Sequence, residues 1–218
     1  MKIVAISDIH AAYDNLYKII QKEGNADVIL IVGDITTHGT VADIRNAVGS
    51  ILTLGKSVLA IAGNMDIPES DDELLRLDIS LNARGVRIGD VGFFGVSAAA
   101  LSRLHTPYEL TEEEISCRIE SGFSMVRDAP IKVFVPHSPP FRTKLDRIFL
   151  GTHVGSTAIR EFIEHEQPDV VVCGHIHEAR GQDILGKTKM VNCGAAQRGF
   201  YAQIIIEDKI LIENLQLD

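Results

Sequence analysis

The chain has 218 residues, 45% of them apolar and 23% charged, with 30 acidic against 21 basic side chains and a formal net charge of -9. That size and composition fit a well-filled globular α/β domain and exclude a disordered chain. The acid excess argues against a broad nucleic-acid footprint, which needs clustered Lys and Arg, but leaves room for a phosphate substrate at a cation-bearing site.

The N-terminus enters a strand at once, with no charged region or cleavage site before it, and no apolar run reaches the length of a membrane span. A cytoplasmic protein with no membrane contact is expected. Cys117, Cys173 and Cys193 form no C-x-x-C pair, so all three read as small buried apolar residues in a reducing compartment.

In chain order, the apolar run at residues 3–7 stops at Asp8-Ile9-His10. A helix from Tyr13 to Gly24 follows, with Leu16, Ile19 and Ile20 on one face. The run at 28–32 stops at Gly33-Asp34, and a helix from about Thr40 to Leu54 sets Val41, Ile44, Val48 and Ile51 on its apolar side. The run at 58–62 stops at Gly63-Asn64. Strand, helix, strand, helix, strand predicts consecutive crossovers and a parallel sheet.

A hairpin is predicted over Val86–Ser97, broken at Gly89-Asp90, and a helix from Thr111, where Thr111 and Glu114 form a capping box. The run at 132–136 stops at His137. The stretch from Ser138 to Gly155, with two prolines, three basic residues and His153, gives no clear regular pattern. Following His137 directly, it is expected to overhang the same sheet edge. A helix over Ser156–Glu166 precedes the run at 170–173, which stops at Gly174-His175-Ile176-His177. Strands near Thr188–Asn192, Phe200–Glu207 and Lys209–Leu215 close the chain, which reads as one domain over 1–218.

Five apolar runs thus end at a carboxylate, carboxamide or imidazole. Taken singly, each polar residue is ordinary: Asp8 and Asp34 as turn or cap residues, Asn64 as a left-handed turn residue, His137 as a core histidine. Only the paired imidazoles of His175 and His177 resist that reading by themselves. In a largely parallel sheet, however, the strand ends gather along one edge, where ligands bind. Seven oxygen and nitrogen donors delivered there, in this order, point to a dinuclear metal site, with a carboxylate such as Asp34 able to bridge both ions.

The series Asp8-x-His10, Gly33-Asp34, Gly63-Asn64-Met65-Asp66, His137 and Gly174-His175-x-His177 resembles the calcineurin-like metallophosphoesterases over roughly the first 180 residues. Smaller features such as GTHVGS and CGHIHEA resemble its Icc-related branch. The resemblance implies a four-layer α/β–β/α sandwich of two mixed sheets flanked by helices. It implies one divalent ion on Asp8, His10 and His177, a second on Asn64, His137 and His175, and Asp34 between them. Ions about 3.5–4 Å apart would clamp phosphate and hold a bridging hydroxide for in-line attack. The donor set is compatible with manganese, iron, zinc, cobalt or nickel.

One departure bears on function. The family's G-N-H-D histidine, which helps the departing oxygen, is Met65 here, and a thioether carries no proton. Asp66 then loses its usual partner and is either a weak catalytic candidate or structural. A diester, or a substrate with a good leaving group, is favoured. His153 is the candidate substitute acid. Arg142 is a candidate substrate contact, and Ser156 with the helix start behind it a candidate phosphate cradle. The expected partner is a small phosphate ester, a nucleotide being one option, not long nucleic acid; self-association is left open. The competing readings are a phosphomonoesterase and a non-catalytic protein-binding module on the same fold.

Overall fold

The computed structural model describes residues 1–217. In chain order the elements are β1 (Lys2–Ile6), α1 (Tyr13–Lys22), β2 (Val28–Val32), α2 (Val41–Leu52), β3 (Ser57–Ile61), α3 (Glu69–Arg76), β4 (Gly85–Ile88) and β5 (Val91–Val96). There follow β6 (Ala99–Ala100), β7 (Glu109–Leu110), α4 (Glu112–Ser124), β8 (Ile131–Pro136), α5 (Thr157–Glu166) and β9 (Val170–Cys173). Last come β10 (Gly181–Leu185), β11 (Thr188–Asn192), β12 (Phe200–Ile206) and β13 (Ile210–Gln216).

One sheet runs β13-β12-β1-β2-β3 and a second runs β10-β11-β9-β8-β5-β4. Within the first, β1, β2 and β3 are parallel and β12 pairs antiparallel with β1. Within the second, β5, β8, β9 and β11 are parallel, with antiparallel strands at both edges. These are the two mixed sheets of the four-layer sandwich.

The strands carry continuous apolar runs because both of their faces are covered. Ile3, Ala5, Val28, Leu30 and Val32 join Val133, Val135, Val170 and Val172 in the layer between the sheets. The alternate residues Val4, Ile6, Ile29 and Ile31 face outward and cluster with Leu16, Ile19, Ile44, Val48 and Ile51 of α1 and α2. On the other side, the Phe94 ring stacks on Phe134 at 4.8 Å, and Phe123 of α4 meets Phe162 of α5 edge-on at 5.2 Å. Among the described residues no helix is long and apolar enough to cross a membrane.

The helices and hairpin stand where periodicity set them, and Thr111 and Glu114 do close a capping box at α4. Helix α3 leaves little apolar signal in the sequence: its eight residues carry Glu69, Asp71, Asp72 and Glu73, and only Ser70, Glu73 and Leu74 are buried. It is held instead by charge, the Glu73 carboxylate lying 2.7 Å from Arg45 of α2 and 2.6 Å from Arg76. Strand β10 was hidden because it is an edge with alternate residues exposed. Of the cysteines, Cys173 and Cys193 are buried but Cys117 is exposed, since the buried face of α4 runs through Ile115, Ile119 and Phe123.

Candidate metal centre

Strands β1, β2 and β3 of one sheet and β8 and β9 of the other end side by side, and each continues into one of the predicted donors. The two sheets are stitched together at this point. The Ser7 hydroxyl donates to the Val32 carbonyl at 3.0 Å, and His137 Nδ1, from the opposite sheet, reaches the same carbonyl at 2.8 Å. The His175 N–H donates to both Asp8 carboxylate oxygens, at 3.1 and 3.0 Å.

The glycines ahead of the donors make this approach possible. A Cβ on Gly63 would collide with Asp34 Oδ1, and one on Gly174 with Ser7 Oγ and Asp8 Oδ2. The donors themselves sit in sparsely populated backbone: φ is +53° at Asp8, +47° at His10, +49° at Asp34 and +66° at His175. Left-handed backbone costs a non-glycine residue roughly 1–2 kcal/mol, so strain is concentrated on four of the seven predicted ligands.

The donor atoms converge in two groups. On one side His177 Nε2 lies 3.2 Å from Asp8 Oδ1 and 3.4 Å from His10 Nε2, and His10 Nε2 lies 3.6 Å from Asp34 Oδ2. On the other, Asn64 Oδ1 faces His175 Nδ1 at 2.7 Å and His137 Nε2 at 3.1 Å, while Asp34 Oδ2 is 3.5 Å from that same His137 nitrogen. Asp34 Oδ2 therefore stands between the groups, as a bridging ligand must. A grouping of carboxylates and imidazoles alone gives Asp8, His10 and His177 for one ion and Asp8, Asp34 and His137 for the other. Adding the Asn64 carboxamide oxygen and His175 makes the second group the predicted one.

The donor set fits divalent cations on chemical grounds. His137 Nδ1 is committed to a carbonyl, which demands a proton there and leaves Nε2 a lone pair. That lone pair faces two further acceptors, Asn64 Oδ1 and Asp34 Oδ2. Acceptors turned on one another require a positive charge between them, either a proton or a metal ion. His10 is fixed in the same way, its Nδ1 held by Thr37 Oγ1 at 3.0 Å.

The ionisation pattern agrees. Burial disfavours the His137 cation, yet Asp34, Asp8 and the Val32 carbonyl outweigh it and push its pKa up to about 9. His175, buried and beside that cation, is pushed down to about 4. The hydrogen bond that His177 donates to the Asp8 carboxylate raises the His177 pKa. Burial works against the Asp8 carboxylate, but His177, His137 and Ser7 hold it well below the usual range.

The remaining candidates separate. Asp66 is fully buried and faces backbone: one oxygen accepts from Thr36 N and Oγ1, both at 2.8 Å, the other from Gly63 N at 2.9 Å and Ile35 N at 3.1 Å. It ties the Asp34 turn to the Asn64 turn and caps no later element. At Met65 the backbone does the work, its N–H donating to Asp34 Oδ1 at 2.7 Å and its carbonyl accepting the His38 N–H at 2.9 Å.

Residues 141–155 do overhang the centre. Phe141, Ile148 and the run Thr152–Gly155 form one wall of a cleft of about 790 Å³ that also includes Asn64 and His175. His153 Nδ1 is held at 2.6 Å by the buried Asp146 carboxylate. Arg142 is exposed, with its guanidinium 5.3 Å from the Phe141 ring centre, and does not line the cleft. Ser156 offers no cradle, because an internal anion already occupies that helix start. The Glu112 carboxylate takes the Ser156 hydroxyl at 2.5 Å and the N–H groups of Thr157 and Ala158 at 3.0 Å each. Reading the sequence missed Glu112, Asp146 and Thr37; for Glu112 no signal existed, since it lies 44 residues from Ser156.

The calcineurin-like phosphoesterase family profile matches residues 1–179. The chain belongs to this family. It is 33% identical over 196 residues to an uncharacterized protein of Methanocaldococcus jannaschii, covering 88% of this chain and 87% of the relative. It is 26% identical to a UPF0046 protein of Caenorhabditis elegans, over 91% of this chain and 71% of that one. In fold it is similar to the protein TT1561 of Thermus thermophilus, with TM-score 0.77 at 17% identity over 98% of both chains. It also resembles a novel archaeal phosphodiesterase, with TM-score 0.58 at 18% identity over the whole of both chains. Family membership makes this calcineurin-like chain a phosphoester hydrolase by class, and its two sheets have the family's fold.

Proposed function

We propose that the chain is a dinuclear metal-dependent phosphodiesterase acting on a small phosphate ester. The observation that carries this reading is the convergence of His137 Nε2, Asn64 Oδ1 and Asp34 Oδ2 on one point, where a proton must sit in the metal-free protein and a divalent cation can replace it. Asp8, His10 and His177 would hold one divalent ion, Asn64, His137 and His175 the other, with Asp34 shared. Such ions, when bound, offset phosphate charge and make water nucleophilic near neutral pH.

The chain's own groups complete the chemistry. With its oxygen turned to the imidazoles, Asn64 leaves its amide hydrogens for a phosphoryl oxygen. A water oxygen forms its bond to phosphorus as the bond to the alcohol oxygen breaks; the water gives up one proton to solvent, and the electron pair leaves on that alcohol oxygen. The leaving oxygen takes a proton from His153 Nε2, and Asp146 holds that ring in place through Nδ1. Asp146 is fixed for this task, since it also accepts from the N–H groups of Thr143, Arg142 and Gly155 at 2.9, 3.0 and 3.1 Å.

Diesters are favoured because the residue after Asn64 is a thioether, and Asp66 has no oxygen to spare for orienting an acid there. A non-catalytic module would have no use for strained backbone at four ligand positions. The test is to strip the protein, reload it with Mn²⁺, and compare bis(p-nitrophenyl) phosphate with p-nitrophenyl phosphate. Faster turnover of the diester is expected. A monoester preference would overturn the inference from Met65, and no hydrolysis under any divalent cation would return the binding-module reading.

A further inference from the structure

The cleft beside the metal centre has walls whose chemistry goes beyond phosphate. Its floor holds Asn64 and His175, and its sides come from the loop through β6 and from residues 141–155. At about 790 Å³ it has room for far more than a phosphate group. Much of what faces that room is apolar: Leu101, Leu104, Ile148, Val154, Ile176 and the Phe141 ring. Leu101 is 64% exposed and Leu104 83%, and Phe149 is 83% exposed on the neighbouring turn. Large apolar side chains do not crowd one mouth without an occupant.

The polar side chains in these walls are turned inward on their own loops. Glu109 accepts from Ser102 N and Oγ at 3.1 and 2.7 Å, and from Thr106 N and Oγ1 at 3.0 and 2.8 Å. Glu112 is consumed by the start of α5. Apart from Asn64 and His175, this leaves Arg103, Thr152 and the Nε2 of His153 to meet a ligand among the lining residues. A nucleobase or sugar is selected by several directed hydrogen bonds, and these walls offer too few. An alkyl or acyl chain needs none.

We infer that the cleft takes the hydrocarbon part of an amphiphilic phosphodiester, so that the substrate carries an alkyl or acyl chain rather than a nucleoside. The inference rests on the phosphoesterase reading for the phosphate end and on Leu101, Leu104, Ile148 and Val154 for the other. Its continuity with the donors at Asn64 and His175 fixes which end of the ligand lies where.

The experiment uses the full chain reloaded with Zn²⁺ and a series of methyl, butyl and octyl phosphate, with adenosine monophosphate as the competing class. Affinity should rise from methyl to octyl, by up to about fourfold for each methylene that is fully buried. Adenosine monophosphate should bind no more tightly than butyl phosphate. Leu104→Asp should flatten the series, read as a fall in the ratio of octyl to methyl phosphate affinity within the same variant. Methyl-labelled protein gives a second readout, in which octyl phosphate shifts the Leu101 and Leu104 signals and methyl phosphate does not. Failure of methyl phosphate to bind would refute the phosphoesterase reading. Equal affinity along the series, tighter binding of the nucleotide, or leucine signals that stay still with octyl phosphate would overturn the cleft assignment.

Discussion

Replacing Asp66 by Asn and by Ala separates a structural carboxylate from a catalytic one. Each carboxylate oxygen accepts two donors, Thr36 N and Oγ1 on one and Ile35 N and Gly63 N on the other. An asparagine oriented with its oxygen toward Ile35 and Gly63 keeps that pair. Its amide hydrogens then meet the Thr36 hydroxyl, which can accept, and the Thr36 N–H, which cannot. One buried backbone N–H loses its partner in Asp66→Asn and three in Asp66→Ala, which also deprives the Thr36 hydroxyl of its acceptor. At about 1–3 kcal/mol for each, the alanine variant should be less stable than the asparagine variant by roughly 2–6 kcal/mol.

The charge adds a pH signature. Burial and the neighbouring Asp34 raise the Asp66 pKa from 3.8 to about 6 in the metal-free protein. A carboxyl whose pKa rises on folding stabilises the fold while protonated, and that contribution is lost as pH climbs through the folded value. The loss is about 2 kcal/mol between pH 4.5 and pH 7.5, and Asp66→Asn should not show it. Urea unfolding of the three metal-free proteins at pH 4.5 and 7.5 reads both effects. Equal stability of the Asn and Ala variants would refute the acceptor role. An asparagine variant of normal stability and metal affinity that lost turnover a thousandfold would put Asp66 into the chemistry.

Three further outcomes are expected. Because His137 is pushed up to about 9 in the metal-free protein, ion binding must displace its proton. Affinity should therefore rise with pH until about 9 and calorimetric heats should depend on the buffer's ionisation enthalpy; buffer-independent heats would contradict this. His153→Ala should slow an alkyl phosphodiester by about 10²–10⁴-fold and a p-nitrophenyl diester far less, because only the poor leaving group needs the proton. A loss independent of leaving-group pKa would remove His153 from the acid role. Glu112→Ala strips three acceptor contacts from the start of α5 and should cost about 1–2 kcal/mol, read as a melting temperature lowered by several degrees. An unchanged melting temperature would show that water replaces the carboxylate.

The donors were legible because each is written next to the strand that delivers it. Asp8, Asp34, Asn64, His137 and His175 lie within two or three residues of an apolar run, and a glycine or a strand end marks the turn. Parallel pairing gathers the ends of β1, β2 and β3 in one sheet and of β8 and β9 in the other, and the packing of the two sheets brings those edges together. The helices α1, α2, α4 and α5 were legible for a similar reason, a single apolar face with a cap or glycine at its boundary.

What escaped was set by partners far off in sequence. Nothing near Ser156 announces that Glu112, on another helix, fills the place where phosphate was expected. Helix α3 owes its position to an Arg45–Glu73–Arg76 cluster that no periodicity encodes. Asp66 is the instructive case. The motif marks it as belonging to the site, and it does belong there, but its oxygens are spent on holding two ligand turns together. A missing histidine at position 65 has therefore not left an idle carboxylate behind. The turn geometry that serves the metals needs Asp66 as it stands, so restoring a histidine by Met65→His would not also restore the aspartate that should orient it. On the function proposed above, an acid for the leaving oxygen would come from across the cleft, where Asp146 already holds the His153 ring at 2.6 Å.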